Sequence, residues 1–510
     1  MRIPAAFALL AGSLVAQTAR PTITPCSGGI GTKIDYRIDS GLPSRPFLPY
    51  LLFYSLKRGN FPMAAVDPKD TRSLGVGFDL LFMLMVGAFD SKGQSQLSLP
   101  IPNDPGFAGL SMLNQVLTFP GNPTVFGPMS EVSVVPFEVP GAWRFYRLNT
   151  MLNERAWLGS LPLSDSRILL TGGGRGALLA LQAFKSTSIY DPATRNFTPG
   201  PDLTSERGLH TTAPLQDGRF ILAGGVNATN DPQKTCDFYV PKTNKFVVGP
   251  AMASERTLHT STLLKDGRIL VCGGLNSMNG GIAALGSALN TTEIFDPKTS
   301  IWSPGPKMSE PKAAHTAHRL QDGSVLIVGG ITYRTIIIIK VPSFTYRAEV
   351  YDPTTNKITQ VTAMKFDRGG HSGAVMADGR VIIVGGAGNM LNGGTPRNEV
   401  EIYSPTTNTW KTLAPMNSKR AMFGSGLLLK DGRFLVAGGA TGLLSSLVPI
   451  PMKQCEIYDP TLNKWTNLAP MAQARATHIL TQLPSCAVVS IGGGSTPVVG
   501  NLKDHEILYQ

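Results

Sequence analysis

A ten-residue segment recurs five times along this 510-residue chain, and this repetition restricts the possible folds more than any other feature. Each copy combines an Asp-Gly pair, an apolar run and a Gly-Gly pair. Such self-similarity, here at spacings of 49 to 56 residues, is typical of folds that stack one supersecondary unit per copy. The copies are QDGRFILAGG (216–225), KDGRILVCGG (265–274), QDGSVLIVGG (321–330), ADGRVIIVGG (377–386) and KDGRFLVAGG (430–439).

A proline in a recurrent Tyr-Asp-Pro-like segment fixes the register of the repeat. In most copies the second glycine of the Gly-Gly pair follows this proline by 33 residues, with a basic residue at 15 residues. The same register identifies a further copy that begins at Pro140 in EVPGAWRF and ends at Gly173. The chain therefore contains seven copies, with Gly-Gly pairs at 172–173, 224–225, 273–274, 329–330, 385–386, 438–439 and 492–493.

Each copy predicts four strands. The Asp-Gly pair predicts a tight hairpin turn in which both central residues adopt a positive φ. Runs such as RILVCGG (268–274) predict a second strand buried on both faces, which ends at the Gly-Gly pair where chains crowd together. Asp-Pro predicts a turn after the third strand, and an aromatic residue then lies in the fourth. Four strands per copy, repeated radially, predict a seven-bladed β-propeller over residues 140–510 in an all-β protein.

Several segments carry a resemblance to a known family. HTSTLLKDGRILVCGG (259–274), EIFDP (293–297) and IWSPGPKM (301–308) resemble the kelch repeat, a propeller module that also forms the central domain of galactose oxidase. The resemblance covers about residues 140–510 and is to secreted bacterial kelch-repeat proteins. In galactose oxidases a further C-terminal domain sends a copper-ligating histidine through the ring, whereas these repeats run to the last residue. We therefore expect no cofactor and no metal.

The two ends of the array predict how the ring closes. The last copy stops at EILYQ (506–510), which corresponds to its third strand, so its outer strand is missing. Residues 142–147, at the start of the first copy, correspond to an outer strand. We expect them to pair with the last copy, which removes an exposed sheet edge.

Two further segments precede the repeats. Residues 1–19 have a basic Arg2, an apolar run and then small residues, the pattern of a secretory signal peptide cleaved near Ala16 to Ala19. Residues 27–137 hold strand-like runs between Gly, Pro and Asn clusters and predict a β-sandwich accessory domain. We expect a secreted or cell-envelope protein with no membrane span. The five cysteines are an odd number, so at least one is unpaired within the chain.

Variation in length is confined to one segment of the repeat. The distance from the Gly-Gly pair to the next proline ranges from 16 to 23 residues, which places variable loops, and function, on one face of the ring. In blade four this loop combines aromatic and basic residues without an acid before Glu349, which suits sugars with carboxylates or sulfates. The alternative is an apolar hairpin that packs on its neighbours. The candidate ligand-binding residues are Tyr333, Arg334, Lys340, Phe344, Tyr346 and Arg347.

Two repeat positions carry side chains that suggest chemistry. The basic residues 15 after the proline either form a cation ring in the central channel or pair between blades with third-strand acids such as Glu293, Glu349, Glu401 and Glu456. These cations are Arg155, Arg207, Arg256, Lys312, Arg368, Arg420 and Arg475. Five histidines share one position, 18 after the proline, which favours a structural role over metal ligation. They are His210, His259, His315, His371 and His478.

These patterns favour a binding or scaffolding protein that recognises a glycan or a protein through the variable-loop face. The alternative is a carbohydrate-active enzyme on a galactose-oxidase-like or epimerase-like kelch propeller, but no catalytic residue can be assigned. The net charge of +12 suits an anionic partner or dispersed solvated lysines. We expect no nucleic-acid partner.

Overall fold

The computed structural model is built almost entirely of β-strands. No helix among the described residues is long and apolar enough to cross a membrane. The predicted signal peptide, residues 1–19, lies outside the described residues. The model describes the strands between residues 22 and 146 and residues 150–508, the latter with gaps at 391–392, 422–424, 442–449 and 496–499.

Nine strands precede the repeats. They are β1 (Thr22–Cys26), β2 (Lys33–Asp39), β3 (Pro49–Ser55), β4 (Arg58–Pro62), β5 (Ser73–Val76), β6 (Met83–Ala88), β7 (Gln94–Pro100), β8 (Ser111–Thr118) and β9 (Ser133–Pro136). One sheet has the order β1-β2-β7 and a second the order β6-β3-β8-β9, while β4 and β5 form a hairpin. Strand β1, at the edge of the first sheet, lies near β8 and β9 of the second sheet. The β-sandwich over residues 27–137 stays a prediction. The first strand begins before the predicted start at residue 27.

Seven four-stranded antiparallel sheets follow, and they are the blades of the predicted propeller. From blade one to blade seven, the first strand of each blade lies next to the first strand of the following blade, around a central channel. The strands, from inner to outer, are β11 (Gly159–Pro162), β12 (Ile168–Thr171), β15 (Thr187–Asp191) and β16 (Asn196–Pro199) in blade one; β17 (Thr211–Pro214), β18 (Phe220–Ala223), β19 (Cys236–Val240) and β20 (Lys245–Gly249) in blade two; β21 (Thr260–Leu263), β22 (Ile269–Cys272), β23 (Thr292–Asp296) and β24 (Ile301–Pro304) in blade three; β25 (Thr316–Arg319), β26 (Val325–Val328), β29 (Ala348–Asp352) and β30 (Lys357–Val361) in blade four; β31 (Ser372–Val375), β32 (Val381–Val384), β35 (Val400–Ser404) and β36 (Thr409–Leu413) in blade five; β37 (Gly426–Leu428), β38 (Phe434–Ala437), β41 (Cys455–Asp459) and β42 (Lys464–Leu468) in blade six; and β43 (Ile479–Gln482), β44 (Val488–Ile491), β45 (His505–Leu508) and β10 (Trp143–Tyr146) in blade seven.

Short elements occupy the loops between the second and third strands. Two 3-10 helices span Leu178–Ala180 and Gly281–Ser287. Four hairpins are formed by β13 (Gly174–Arg175) with β14 (Gln182–Ala183), β27 (Ile331–Ile336) with β28 (Ile339–Phe344), β33 (Ala387–Gly388) with β34 (Thr395–Pro396), and β39 (Ala440–Thr441) with β40 (Ile450–Pro451).

The ring closes as predicted. Strand β10 pairs with β45 in antiparallel register, with Trp143 opposite Leu508 and Tyr146 opposite His505. Blade seven thus takes its outer strand from the start of the array and its other three strands from the end. This pairing covers the edge that β45 would otherwise expose.

The second strands are buried on both faces, as their apolar runs predict. Every residue of Ile269–Cys272 is buried, and the same holds for Val381–Val384. The Gly-Gly pair that follows each strand adopts positive φ, for example 60° at Gly224. A Cβ atom at Gly224 would lie 2.5 Å from the carbonyl oxygen of Arg256. Any larger residue there would clash with the backbone of the next blade.

The Asp-Gly turns differ from the prediction. In blade two the N–H of Gly218 donates to the carbonyl of Leu215 (3.1 Å), and only the glycine of the Asp-Gly pair has a positive φ. The turn is therefore a type I turn centred on Gln216 and Asp217, and the glycine that follows adopts a left-handed backbone conformation. Asp217 stays right-handed because its carboxylate accepts hydrogen bonds from the N–H and Nε of Arg219, at 3.0 and 2.8 Å.

Candidate functional site

The variable loops and the connections between blades lie on the same face of the ring, which we call the loop face. In blade three the residue after the Gly-Gly pair, Leu275, forms a β-bridge with Thr257, which follows Arg256 in the preceding connection. Ala313 and Ile331 make the corresponding bridge in blade four. The bridge recurs in all seven blades, so the fold itself brings the two segments together.

The blade-four loop projects from this face as a hairpin. Its strands β27 and β28 pair from Ile331 opposite Phe344 to Ile336 opposite Ile339. One face of the hairpin is covered, since Ile331 and Phe344 are buried in a cluster that includes Leu275 and Leu285. The predicted alternative of an apolar hairpin therefore describes the base of the loop.

The basic candidates of this hairpin have different surroundings. Lys340 donates through Nζ to the carbonyl of Gly286 at 3.0 Å, and Nζ also lies 4.3 Å from the centre of the Tyr333 ring. Arg347 lies 3.6 Å from the carboxylate of Glu310, and about half of its side chain is exposed. Arg334 is exposed on the opposite face of the hairpin from Lys340. All three cations are exposed, but Nζ of Lys340 is already bonded to Gly286, so Arg334 and Arg347 are the better candidates for a protein partner.

The aromatic candidates do not form one surface. Phe344 is 5% exposed and packs inside the loop-face cluster, so it cannot stack on a sugar. Tyr333 is half-buried beneath Lys340, whereas Tyr346 is 48% exposed. Of the three rings that the sequence nominates as a sugar platform, Tyr346 is the one that is open to solvent.

The sequence analysis did not single out the tip of the hairpin. Ile336, Ile337, Ile338 and Ile339 are 58, 93, 87 and 66% exposed. Four successive isoleucines in a loop are a visible signal, which the alternative of an apolar hairpin assigns to packing on its neighbours. Their exposure follows from the length of the hairpin, which carries them beyond the surface that covers its base.

The seven recurrent cations are fully buried. None of them has a solvent-exposed side chain, so they do not form a cation ring in the channel. Six of them pair with an acidic residue of the third strand or its blade-seven equivalent, as the second interpretation of the sequence proposed. These pairs are Arg207–Asp237, Arg256–Glu293, Lys312–Glu349, Arg368–Glu401, Arg420–Glu456 and Arg475–Glu506.

Arg155 of blade one is bonded to carbonyl and hydroxyl oxygens rather than to a third-strand carboxylate. Its guanidinium donates to the carbonyl oxygens of Gly172 (2.9 Å) and Ser186 (2.7 Å), and to the Ser186 hydroxyl (2.9 Å). The position that holds an acid in the other blades is Ser188 here. Burial lowers the pKa of Arg155 to about 10 because the charged form is desolvated.

The recurrent histidines lie along the inner side of the blades, around a cavity of about 510 Å³ in the central channel. His259, His315 and His371 each bond through Nε2 to a threonine hydroxyl of the preceding blade, at 2.9, 3.0 and 2.9 Å. Burial holds the pKa of these imidazoles below the ordinary value of 6.5, to about 3 at His315. They are therefore neutral links between blades at physiological pH. Within the described ranges, no three His, Cys, Asp or Glu residues are grouped so that they could hold a metal ion.

The residue before each histidine adopts a left-handed backbone conformation at the mouth of the channel, with φ of 55° at Leu209 and 49° at Ala314. This conformation is costly for a residue with a side chain. Here it directs backbone N–H groups from blade to blade: Leu209 donates to Trp157 at 3.1 Å, and Ala314 to Leu258 at 2.9 Å. The channel mouth is thus formed by scaffold, and residue types such as Leu209 and Ala314 do not indicate this backbone conformation.

Comparison with known proteins agrees with the geometry of the blades. A family model described as the kelch motif matches residues 256–309 and 368–417. The propeller is of the kelch type. The two matches contain all four strands of blade three and of blade five, together with the buried pairs Arg256–Glu293 and Arg368–Glu401.

Curated relatives share the repeats over part of their length. The chain is 27% identical to kelch-like protein 34 of Homo sapiens over 200 residues, which are 39% of this chain and 28% of that protein. It is 36% identical to kelch-like protein 40 of Mus musculus over 101 residues, 19% of this chain and 14% of that protein. The chain thus spans less than a third of the length of these relatives.

Two solved structures match part of the chain. A fungal alcohol oxidase of the AA5 family, in complex with copper, matches 72% of this chain and 76% of its own chain, with a TM-score of 0.54 and 18% identity. The structure of YjhT matches 63% of this chain and 99% of its own, with a TM-score of 0.46 and 16% identity. At these identities the likeness to the oxidase shows the fold alone.

Proposed function

We propose that this kelch propeller is the binding module of an exported protein and that its loop face recognises a protein partner. The observation that carries the proposal is a difference in exposure between the side chains that recur in the blades and those of the blade-four loop. The recurrent cations and histidines are buried and bonded within the scaffold. The accessible charged and aromatic groups of blade four, by contrast, lie on the face where loop length varies.

The exposed groups suit a protein surface. Tyr346 and Arg347 are neighbours in sequence and are both about half exposed, and Tyr and Arg are enriched at the energetic centres of protein interfaces. They follow the buried Phe344 and Thr345, whose burial fixes the backbone that carries them. Little conformational entropy is then lost when a partner binds. The kelch motif and the kelch-like relatives are consistent with a protein-binding scaffold.

Site-specific photo-crosslinking tests this assignment. Benzoyl-phenylalanine is introduced in place of Tyr346, and the full chain is irradiated with a fraction of proteins from its own compartment. We expect a discrete crosslinked species that the double substitution Arg334→Ala and Arg347→Ala weakens. A probe in place of Lys242, an exposed residue in the turn after β19 on the opposite face, is the matched control.

The proposal fails if the probe at Tyr346 gives no discrete species, or if the probe at Lys242 gives the same one. It also fails if the Arg334→Ala and Arg347→Ala substitutions leave the crosslink unchanged. In each case the partner contacts another part of the chain.

An acidic glycan is the second candidate ligand. Arg334 and Arg347 offer accessible guanidinium groups, which bind carboxylates and sulfates in a bidentate manner. Tyr346 provides one ring for stacking. A glycan array probed with the full chain at low and moderate salt tests this candidate. Salt-sensitive binding to acidic glycans that is lost in Arg334→Ala would favour it, and no binding would remove it.

The export of the protein is a separate proposal, based on residues 1–19. Their basic start, apolar run and small residues are the pattern of a signal peptide. Amino-terminal sequencing of the mature protein tests it. A mature terminus shortly after Ala16 to Ala19 is expected, and an intact Met1 would contradict export by this route.

A further inference from the structure

Four successive isoleucines form the tip of the blade-four hairpin, at Ile336 to Ile339. We propose that this tip inserts into the surface of a membrane that contains anionic phospholipids. The contact uses the end of the hairpin and not Tyr346 and Arg347 near the strand that follows, and Arg334 is the one residue that it shares with the contact proposed above.

The shape of the tip favours lipid. Ile336 and Ile339 are opposite each other in the hairpin, while Ile337 and Ile338 form the turn between them. All four are more than half exposed, and Val341 adds a further 37% exposed side chain. The end of the hairpin is therefore convex and apolar on all sides. A protein pocket must match such a shape in detail, whereas the acyl region of a membrane surrounds any apolar tip without a matched shape.

The charges below the tip favour an anionic surface. Arg334 lies two residues before Ile336, and Lys340 directly follows Ile339. At a rise of about 3.3 Å per residue, these basic groups lie within about 7 Å of the isoleucines along the strands. Apolar faces of surface-bound elements enter a membrane by about 5–10 Å, so the two cations would lie at the level of the phosphate groups. The hairpin holds no Asp or Glu between Ile331 and Ala348 that would oppose this contact.

The base of the hairpin holds the tip away from the propeller. Phe344 and Ile331 are buried in the loop-face cluster, and Lys340 is bonded to the carbonyl of Gly286 in the 3-10 helix of blade three. The isoleucines are thus presented in one place rather than folded back onto the ring. This arrangement lowers the entropy that is lost when the tip meets a membrane.

Co-sedimentation of the full chain with vesicles tests the proposal. The vesicles are phosphatidylcholine alone or phosphatidylcholine mixed with phosphatidylglycerol, at low salt. We expect binding to the mixed vesicles, and a loss of about tenfold or more in the partition coefficient for Ile337→Asn with Ile338→Asn, because most of the buried apolar surface is removed. Ile337 has a φ of 58°, which asparagine adopts readily, so this variant keeps the turn.

A matched control exchanges two exposed apolar residues elsewhere. Ile301→Asn with Leu462→Asn replaces side chains that are 57 and 70% exposed, and it is expected to bind vesicles as the original chain does. A direct measure of insertion is the Ile338→Trp variant, whose fluorescence should shift to the blue with mixed vesicles. The corresponding Leu462→Trp variant should show no shift.

Three results would overturn the proposal. They are no binding of the original chain to the mixed vesicles, equal binding by the Ile337→Asn with Ile338→Asn variant, and no blue shift for Ile338→Trp. If that double variant instead lost a protein crosslink while no vesicle binding occurred, the tip would be assigned to a protein pocket.

Discussion

Arg420 and Glu456 form an ion pair of 2.6 Å in which neither side chain reaches solvent. The same guanidinium donates to the carbonyls of Gly438 and Gln454, and the carboxylate accepts the backbone N–H groups of Asn417 and Ser418. The pair therefore fastens the connection between blades five and six to the second and third strands of blade six. Because five other blades contain an equivalent pair, this contact is a property of the repeat and not a binding site.

Removal of one partner from this pair should be strongly destabilising. We expect Glu456→Ala to lower the free energy of unfolding by about 3–5 kcal/mol, since it leaves a buried guanidinium without its counter-charge. Denaturant-induced unfolding measures the change. The control is Arg433→Ala, which breaks an exposed pair with Asp431 in the same blade and should cost no more than about 1 kcal/mol. Equal effects of the two substitutions would contradict the structural role of the buried pair.

In blade one, which has serine at the position of the acid, an ion pair can be introduced rather than removed. Ser188 is buried at the position that holds Asp237 in blade two, where the aspartate lies 3.1 Å from Arg207. We expect Ser188→Asp to pair with Arg155 and to raise the free energy of unfolding by about 1 kcal/mol, the typical net contribution of an intramolecular hydrogen bond. Thermal unfolding of the variant and the original chain gives the comparison. A lower melting temperature would show that blade one has no room for the carboxylate.

Ring closure by β10 predicts where the propeller can begin. A chain that starts at residue 140 keeps β10, whereas one that starts at residue 150 exposes the edge of β45. We expect the shorter chain to melt at a lower temperature and to self-associate. Both chains lack the amino-terminal sheets, so the difference reports on β10 alone. Scanning fluorimetry and light scattering would reveal it, and identical behaviour would show that closure does not need this strand.

The channel histidines predict how stability depends on pH. Burial lowers the pKa of His315 in the folded chain to about 3, against 6.5 when it is exposed. Above pH 6.5 the imidazole is neutral in both states and contributes no pH dependence. Between that pH and about 3 only the unfolded chain binds the proton, so stability falls as the pH is lowered. Each such histidine contributes up to about 1.4 kcal/mol per pH unit.

Replacing His315 by leucine isolates the contribution of one histidine to the pH dependence of stability. Leu158 occupies the histidine position there, so His315→Leu copies a residue that the fold accepts. We expect the variant to lose less stability than the original chain between about pH 7 and 5, by the contribution of one proton. Unfolding by denaturant at several pH values measures the two slopes. Parallel slopes would mean that His315 is protonated in the folded chain.

Much of the fold could be predicted because residue types at fixed positions of the repeat specify its strands and turns. Apolar runs such as Ile269–Cys272 specify a strand buried on both faces, and the constant spacing of 33 residues from Pro241 to Gly274 sets the register of the copy. The number of blades and the closing strand followed from counting positions. The Asp-Gly turns were assigned the wrong type, because the carboxylate of Asp217 and its bonds to Arg219 keep that residue right-handed, which the dipeptide alone does not reveal.

The candidate site was only partly predictable. The sequence by itself determined that the loops of variable length share one face and that blade four concentrates aromatic and basic residues there. Only the tertiary structure decided which side chains are accessible: Phe344 is buried, Arg420 is paired, and the isoleucines from Ile336 to Ile339 project into solvent. The reason is physical. Spacing along a chain fixes which strand a residue occupies, but burial and ion pairing depend on neighbours supplied by other blades.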